Sequence, residues 1–328
     1  MNFWYRPKLS LSAFLLLPLS ALFSVVVRRR RQLRNSTPYS KPVIVVGNLT
    51  VGGTGKTPTL IWLAGVLQAH GLKPAIVSRG YRAKPVDPFP VVIEPHHSAE
   101  EVGDEPLLLK RRLGIPVVID PERHRAVQCL CDRYADEVDV ILSDDGLQHY
   151  AMYRDLEIVM IDPVRGVGNG RLIPAGPLRE PVQRLQYCDY VFAKAAADVK
   201  HITFSATAQP RYGQVLNAQG GSLTAQPIRL MSGIGNFDSF RQSVLSLGFK
   251  IIEEKIFHDH QAIPAMALIK SDVPVLMTEK DFVKLQNAAP HIYYLPFDLS
   301  YPEELAERMT QQIQDLINEK NRHYSSSL

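Results

Sequence analysis

Short apolar runs rich in Val and Ile punctuate the first two thirds of the chain, at residues 42–46, 74–77, 116–119, 138–142, 156–161 and 190–192. Each is strand-sized, and several are separated by longer stretches with helical spacing. Strand, helix, strand in that rhythm predicts a parallel sheet covered by helices on both faces. In such sheets ligands bind beyond the carboxyl ends of the strands. The residues just after each apolar run are therefore the first candidates for chemistry.

A second, smaller αβ unit comes next. Its expected strands are residues 228–231, 251–257, 273–277 and 292–295, and its expected helices 237–247, 262–270 and 302–318. Between the two units, residues 204–227 are rich in Gln, Gly, Ala and Thr and read as a ribbon or linker. At the other end, residues 9–27 carry no charge and run directly into Arg28–Arg31. As a helix this stretch would be roughly 28 Å long, against about 30 Å of bilayer hydrocarbon. No small-residue cleavage site succeeds the apolar run, which excludes a secretory signal. Pro18 and the serines Ser10, Ser12 and Ser20, with a fourth at Ser24, weaken a spanning helix, and a helix lying in one leaflet fits as well. A core helix of the folded domain is the bland alternative. The arginines would keep the downstream chain on the cytoplasmic side. The resulting division is 1–34 (membrane-associating helix and basic cluster), 35–203 (first αβ domain), 204–227 (linker) and 228–328 (second αβ domain).

The strongest chemical signal comes after the first strand. Thr50-Val51-Gly52-Gly53-Thr54-Gly55-Lys56-Thr57 stands between an apolar run and a helical stretch, the setting a P-loop requires. Glycines let backbone N–H groups close around phosphate oxygens, and the helix N-terminus adds partial positive charge. Gly52, Gly53, Thr54, Gly55, Lys56 and Thr57 form the nucleotide cradle in this reading. Lys56 reaches the β- and γ-phosphates, and the Thr57 hydroxyl sits on Mg²⁺. The first glycine of the usual pattern is Thr50 here.

Other strand ends are also polar. Ser78-Arg79-Gly80-Tyr81-Arg82 succeeds the second run and reads either as an anion contact or as a polar turn. Gly103-Asp104-Glu105-Pro106 opens a helix, where Asp104 is either an N-terminal cap or a base. Ser143-Asp144-Asp145-Gly146-Leu147-Gln148-His149 ends another strand in acid, the Walker-B arrangement, whose carboxylate coordinates Mg²⁺. Residues 166–181 hold too many Gly and Pro for a regular element and carry Arg171, Arg179 and Glu180. There the arginines would meet phosphate and Glu180 a metal or a hydroxyl. His258-Asp259-His260 closes a strand of the second unit; alone it is not a metal site.

Composition narrows the class. The net charge of +4 is misleading, because seven of the 37 basic residues lie in residues 1–34, which hold no acid. Without them, 30 bases face 33 acids. A nucleic-acid binder needs a basic face on its folded domain, and this chain is basic only at one end. Three cysteines, Cys129, Cys131 and Cys188, have no metal spacing and suit a reducing compartment.

Taken in order, Gly47-Asn48 with residues 50–58, 78–81, 103–106, 144–149, 173–181, 232–236, Asp259-His260 and 278–281 resemble the tetraacyldisaccharide 4'-kinase family. The resemblance implies a P-loop NTPase-type parallel sheet, a smaller C-terminal α/β domain and an apolar N-terminal helix. It implies transfer of the γ-phosphate of ATP, with Mg²⁺, to the 4'-hydroxyl of an acylated glucosamine disaccharide 1-phosphate. The enzyme would sit on the cytoplasmic face of the bacterial inner membrane, meeting its acceptor in the bilayer. Lys56, Asp104 and His260 would be catalytic, with His260 pairing with Asp104. Thr57, Asp144, Asp145 and Glu180 would hold the metal, and Arg79, Gln148, His149 and Arg179 the substrates. Arg82 and His258 depart from residues common in the family at those positions. The rival reading is a membrane-associated P-loop switch ATPase, but its signature lysine position is Val51 here.

Overall fold

The computed structural model describes residues 2–6, 9–32, 36–196, 199, 202–258, 263 and 272–325. The expected helix at 262–270, apart from the buried Ile263, and the Asp259-His260 pair lie outside the described residues.

The first sheet takes β1 (Val43–Asn48), β2 (Pro74–Ser78), β3 (Val91–Val92), β4 (Val117–Ile119), β5 (Val140–Asp144), β6 (Leu156–Ile161), β7 (Tyr190–Ala193) and β8 (Ala206–Thr207). Their order across the sheet is β3-β4-β2-β5-β1-β6-β7-β8. Every pairing is parallel except that of β3 with β4. β1 is therefore central, between β5 and β6, and its carboxyl end delivers the P-loop to the middle of one sheet edge.

Period-two alternation assigns the side chains. Ile44 and Val46 of β1 enter one core, and Val43 and Val45 enter the other. The first core lies under α3 (Lys56–Ala69) and α5 (Asp104–Leu113), the second under α6 (Arg123–Arg133) and the 166–181 loop. The short α4 (Ala99–Val102) precedes α5. Gly103 at φ +91° joins them, a left-handed backbone that glycine adopts without strain.

The N-terminal stretch forms α1 (Leu11–Leu15) and α2 (Leu17–Gln32), after a 3₁₀ turn over Asn2–Tyr5. Proline lacks an N–H and its ring clashes with the carbonyl four residues back, so Pro18 fits only the first turn of a new helix. Leu11, Phe14, Leu15, Leu19, Leu22, Val25 and Val26 stand exposed along these helices. Arg29, Arg30 and Arg31 occupy the last turn of α2, where cations complement the helix dipole. Among the described residues, no helix is long and apolar enough to cross a membrane.

The second sheet has the order β10-β14-β13-β11-β12. It is built from β10 (Leu216–Asn217), β11 (Pro227–Ser232), β12 (Lys250–Ile256), β13 (Val275–Thr278) and β14 (Ile292–Leu295). Helices α7 (Phe237–Ser246) and α8 (Glu279–Phe282) accompany it. The stretch that reads as a linker is more ordered than that: β8 extends the first sheet, and β10 edges the second. β9 (Gln209–Tyr212) pairs antiparallel with β15 (Phe297–Ser300).

The sequence pattern assigns the last helix, α9 (Glu303–Ser325), to the second unit, but it packs on the first. Leu305, Met309, Ile313 and Ile317 join the core formed by Leu60, Leu63 and Leu67 of α3, and Lys320 pairs with Asp155 at 2.9 Å. The physical reason is local. β15 hands the chain to α9 directly beneath α3, where Tyr301 packs at a tilt against Trp62 with ring centroids 4.4 Å apart.

Candidate active site

The P-loop turns on Gly55, which caps α3 at φ +95°. A side chain there would meet Lys194 and Leu299 at 3.2 and 3.3 Å, so both backbone angle and space require glycine. Asn48 Nδ2 donates to the Gly52 carbonyl at 3.2 Å and ties the loop to the end of β1. From the other side, Val51 N–H donates to the Pro177 carbonyl at 3.0 Å, and Arg179 N–H to that of Leu49. The Gly/Pro-rich 166–181 loop thus braces the P-loop along its length and carries Arg179 and Glu180 to it.

Lys56 leads α3 and lies 3.6 Å from Asp145 Oδ1. Arg179 Nη1 donates to both oxygens of Asp145 at 3.0 Å and to Gln148 Oε1 at 3.3 Å. Burial raises the Asp145 carboxyl pKa, but Lys56 and Arg179 outweigh it and hold it below the ordinary value. Asp144 behaves oppositely. It ends β5 fully inside, and burial, with the charges of Glu105 and Asp145, pushes its pKa up to about 6. Its Oδ2 accepts from Ser78 Oγ at 3.0 Å, whereas its Oδ1 is buried with no hydrogen-bond partner among the described residues. Two adjacent carboxyls are therefore split: one already neutralised by two cations, the other short of a cation.

Gln148 Nε2 donates to Glu180 Oε1 at 2.9 Å, and Glu180 Oε2 pairs with Arg184 at 3.4 Å. Glu180 is 1% exposed, with Gln148 and Arg184 against its two oxygens and Tyr150 close by. His149 Nε2 accepts the Arg123 N–H at 3.2 Å. Burial, with Arg123 and Arg154, lowers the His149 pKa to about 4, so the ring is neutral at physiological pH. Arg79 is exposed, yet its positive charge acts on both Arg123 and His149. Thr57 stands next to Lys56 in the first turn of α3. Among the described residues, no three His, Cys, Asp or Glu side chains converge as a preformed metal cluster.

Asp104 is the first residue of α5, and Gly103, not Asp104, occupies the capping position. Its Oδ1 accepts the N–H of Glu105 at 3.0 Å, and the residue is 8% exposed. The charge of Glu105 helps to raise the Asp144 pKa, so this end of α5 lies near the carboxyl end of β5.

Arg123 escaped sequence reasoning. It is buried at the start of α6 and donates to the Asp144 carbonyl at 3.0 Å, and desolvation lowers its pKa to about 10. The signal was present, since Asp120-Pro121-Glu122-Arg123 succeeds the carboxyl end of β4 as the other motifs succeed their strands.

A family model described as LpxK, tetraacyldisaccharide-1-P 4'-kinase, matches residues 12–314. The chain belongs to this family. A tetraacyldisaccharide 4'-kinase of Pseudomonas fluorescens is 43% identical over 309 residues, 90% of each chain. One from Actinobacillus succinogenes is 39% identical over 333 residues, 97% of this chain and 99% of that one. Among solved structures, LpxK from Aquifex aeolicus in complex with ATP superposes with a TM-score of 0.74 at 27% identity. That match covers 94% of this chain and 99% of the other. The family assignment makes this chain an ATP-dependent kinase, and the braced P-loop with its acidic neighbours is the part of the fold that suits such a role.

Proposed function

We propose that this kinase transfers the γ-phosphoryl group of ATP to the 4'-hydroxyl of a tetraacylated glucosamine disaccharide 1-phosphate held in a bilayer. The observation that carries the reading is the union of a P-loop, a cation-seeking Asp144 and a buried Asp104 on one sheet edge. Family membership along residues 12–314 supports the acceptor.

Phosphoryl transfer asks a protein mainly for position and charge neutralisation. In this reading Gly52 to Gly55 cradle the phosphates with backbone N–H groups, and Lys56 stands against the oxygens that gain charge. The orphaned, buried Oδ1 of Asp144 suits a divalent cation. Thr57 and Asp144 would hold Mg²⁺, with Asp145 and Glu180 as further candidates. When bound, Mg²⁺ neutralises charge between the β- and γ-phosphates. Asp104 takes the proton of the attacking hydroxyl while the new O–P bond forms and the bond to ADP breaks. His260 would orient Asp104. Arg179, Gln148, His149 and Arg79 line the substrate side.

The N-terminal helices supply access. Their exposed apolar side chains would enter one leaflet, and the arginine cluster would rest on anionic headgroups for about 1 kcal/mol each. The enzyme would then sit on the cytoplasmic face of the inner membrane.

The test is turnover of γ-labelled ATP with and without the acylated disaccharide monophosphate in detergent micelles. Label appearing on the lipid, dependent on Mg²⁺, is the expected result. Hydrolysis of ATP with no labelled lipid would overturn the reading and favour a switch ATPase.

A further inference from the structure

The second unit meets the first along one face of α5, and the two ends of that face are held differently. At the carboxyl end, Arg112 pairs with Glu279 at 2.9 Å and with Asp298, while Arg111 donates to the Val283 carbonyl at 3.3 Å. At the amino end the polarity reverses. Lys280 of α8 reaches Glu105 Oε1 at 2.8 Å and stands 3.9 Å from Asp104 Oδ2.

The two contacts answer different needs. Arg112 and Arg111 already join the units, so a further pair adds little as glue; partly exposed ion pairs are worth about 0–1 kcal/mol. Lys280 is better placed to act on Asp104. The Oδ1 of that carboxylate is engaged by the Glu105 N–H, and its Oδ2 is turned toward the ammonium group. Gly103, at φ +91° and with Tyr81 O 3.3 Å from where a Cβ would stand, leaves no place for a larger residue before Asp104.

Lys280 is itself held firmly. Thr278 caps α8 by accepting the Asp281 N–H at 3.2 Å. Asp281, fully buried, accepts from Ser232 Oγ at 2.6 Å, Gly233 N–H at 3.0 Å and Lys284 at 2.8 Å. Two strand ends of the second sheet are thus locked to each other, and the side chain between Glu279 and Asp281 is presented to α5. A group that must hold a carboxylate in one geometry works best from a rigid element.

We propose that Lys280 is a positioning residue for the transfer: from the second unit, it fixes the carboxylate of Asp104 at the amino end of α5. The proposal rests on Asp104 being the base of the proposed transfer. It gives the Thr278–Asp281 segment a role in catalysis as well as in folding.

The experiment compares Lys280→Met, Lys280→Arg and Arg112→Met for kcat, KM for ATP and melting temperature, with Asp104→Asn alongside. The expected result is a loss in kcat of about tenfold to a hundredfold in Lys280→Met, the scale of one charge-assisted contact. KM for ATP stays near wild type, because nucleotide contacts lie on the P-loop. Lys280→Arg recovers most of the rate. Arg112→Met, which loosens the same joint at its far end, lowers the melting temperature with kcat near wild type. Wild-type kcat in Lys280→Met overturns the proposal. So do equal losses of kcat in Lys280→Met and Arg112→Met, which would make the lysine part of the joint and nothing more. Wild-type kcat in Asp104→Asn is a separate failure, that of the base assignment itself.

Discussion

A single nitrogen of Arg179, Nη1, donates to both carboxylate oxygens of Asp145 at 3.0 Å, while Lys56 stands 3.6 Å from one of them. One carboxylate therefore sets the position of two cations that come from distant parts of the chain. Lys56→Ala leaves Asp145 paired with Arg179, so the fold should hold. The variant loses a preorganised charge on the transferring group, worth on the order of 3–4 kcal/mol or a factor of 10² to 10³ in kcat. Steady-state turnover of the purified variant, with an unchanged melting temperature, checks this; near-wild-type rate would remove Lys56 from the mechanism.

Asp145→Asn should hurt through both partners at once. Neither Lys56 nor Arg179 then has its charged anchor, and losses in Asp145→Asn and Arg179→Ala should not add in the double variant. A double-variant cycle in kcat/KM measures the coupling. Strict additivity would mean that the pairing carries no catalytic weight.

If Asp104 and His260 act as one unit, Asp104→Ala, His260→Ala and the double variant should lose similar amounts of kcat. Multiplicative losses would argue for independent roles. A melting shift with unchanged kcat in Asp104→Ala would return that residue to helix stabilisation alone.

Removal of residues 1–34 should release the protein from anionic vesicles in a flotation assay. It should also cost rate on detergent-dispersed substrate. Trp4 Nε1 donates to the Pro174 carbonyl at 2.9 Å and Ala175 N–H donates to Ser20 Oγ at 3.3 Å, so this segment steadies the loop that braces the P-loop. Retained vesicle binding would place the anchor elsewhere.

Asp281 should dominate the acid sensitivity of the second unit. Burial raises its pKa, but Lys284, Ser232 and Thr278 outweigh that and leave it depressed. A depressed carboxylate adds stability above its unfolded pKa of about 3.9, and that stability fades as pH falls through the folded value. Asp281→Ala should cost about 3–5 kcal/mol at neutral pH, since it removes the buried carboxylate that Ser232, Gly233 and Lys284 all donate to. The gap in melting temperature from wild type should narrow below about pH 4. A gap that does not change with pH would show that packing, not charge, is the contribution of Asp281.

The parallel sheet was legible because its strands are buried on both faces and so read as unbroken Val and Ile runs, as at Val43–Asn48 and Leu156–Ile161. The P-loop and the Asp144-Asp145 pair were legible because their chemistry demands fixed residue types at a strand end. β8 and β10 were not, since strands of two residues leave no period to read. Nor was the destination of α9. Its apolar stripe shows a buried face but says nothing of which sheet it buries against. The partners of Gln148 and Glu180 also emerged only in three dimensions, because a carboxylate that holds an amide looks in sequence like one that holds a metal.

The return of α9 to the first core has a consequence for synthesis. The P-loop helix α3 leaves the ribosome well before its covering partners Leu305 to Ile317, which are made only after the whole second sheet. Until they emerge, the nucleotide-binding half of the molecule keeps an apolar face open. The second sheet, whose described strands end at Leu295, is complete before that face can close. A chain cut before Leu305 would be released with its catalytic half still uncovered.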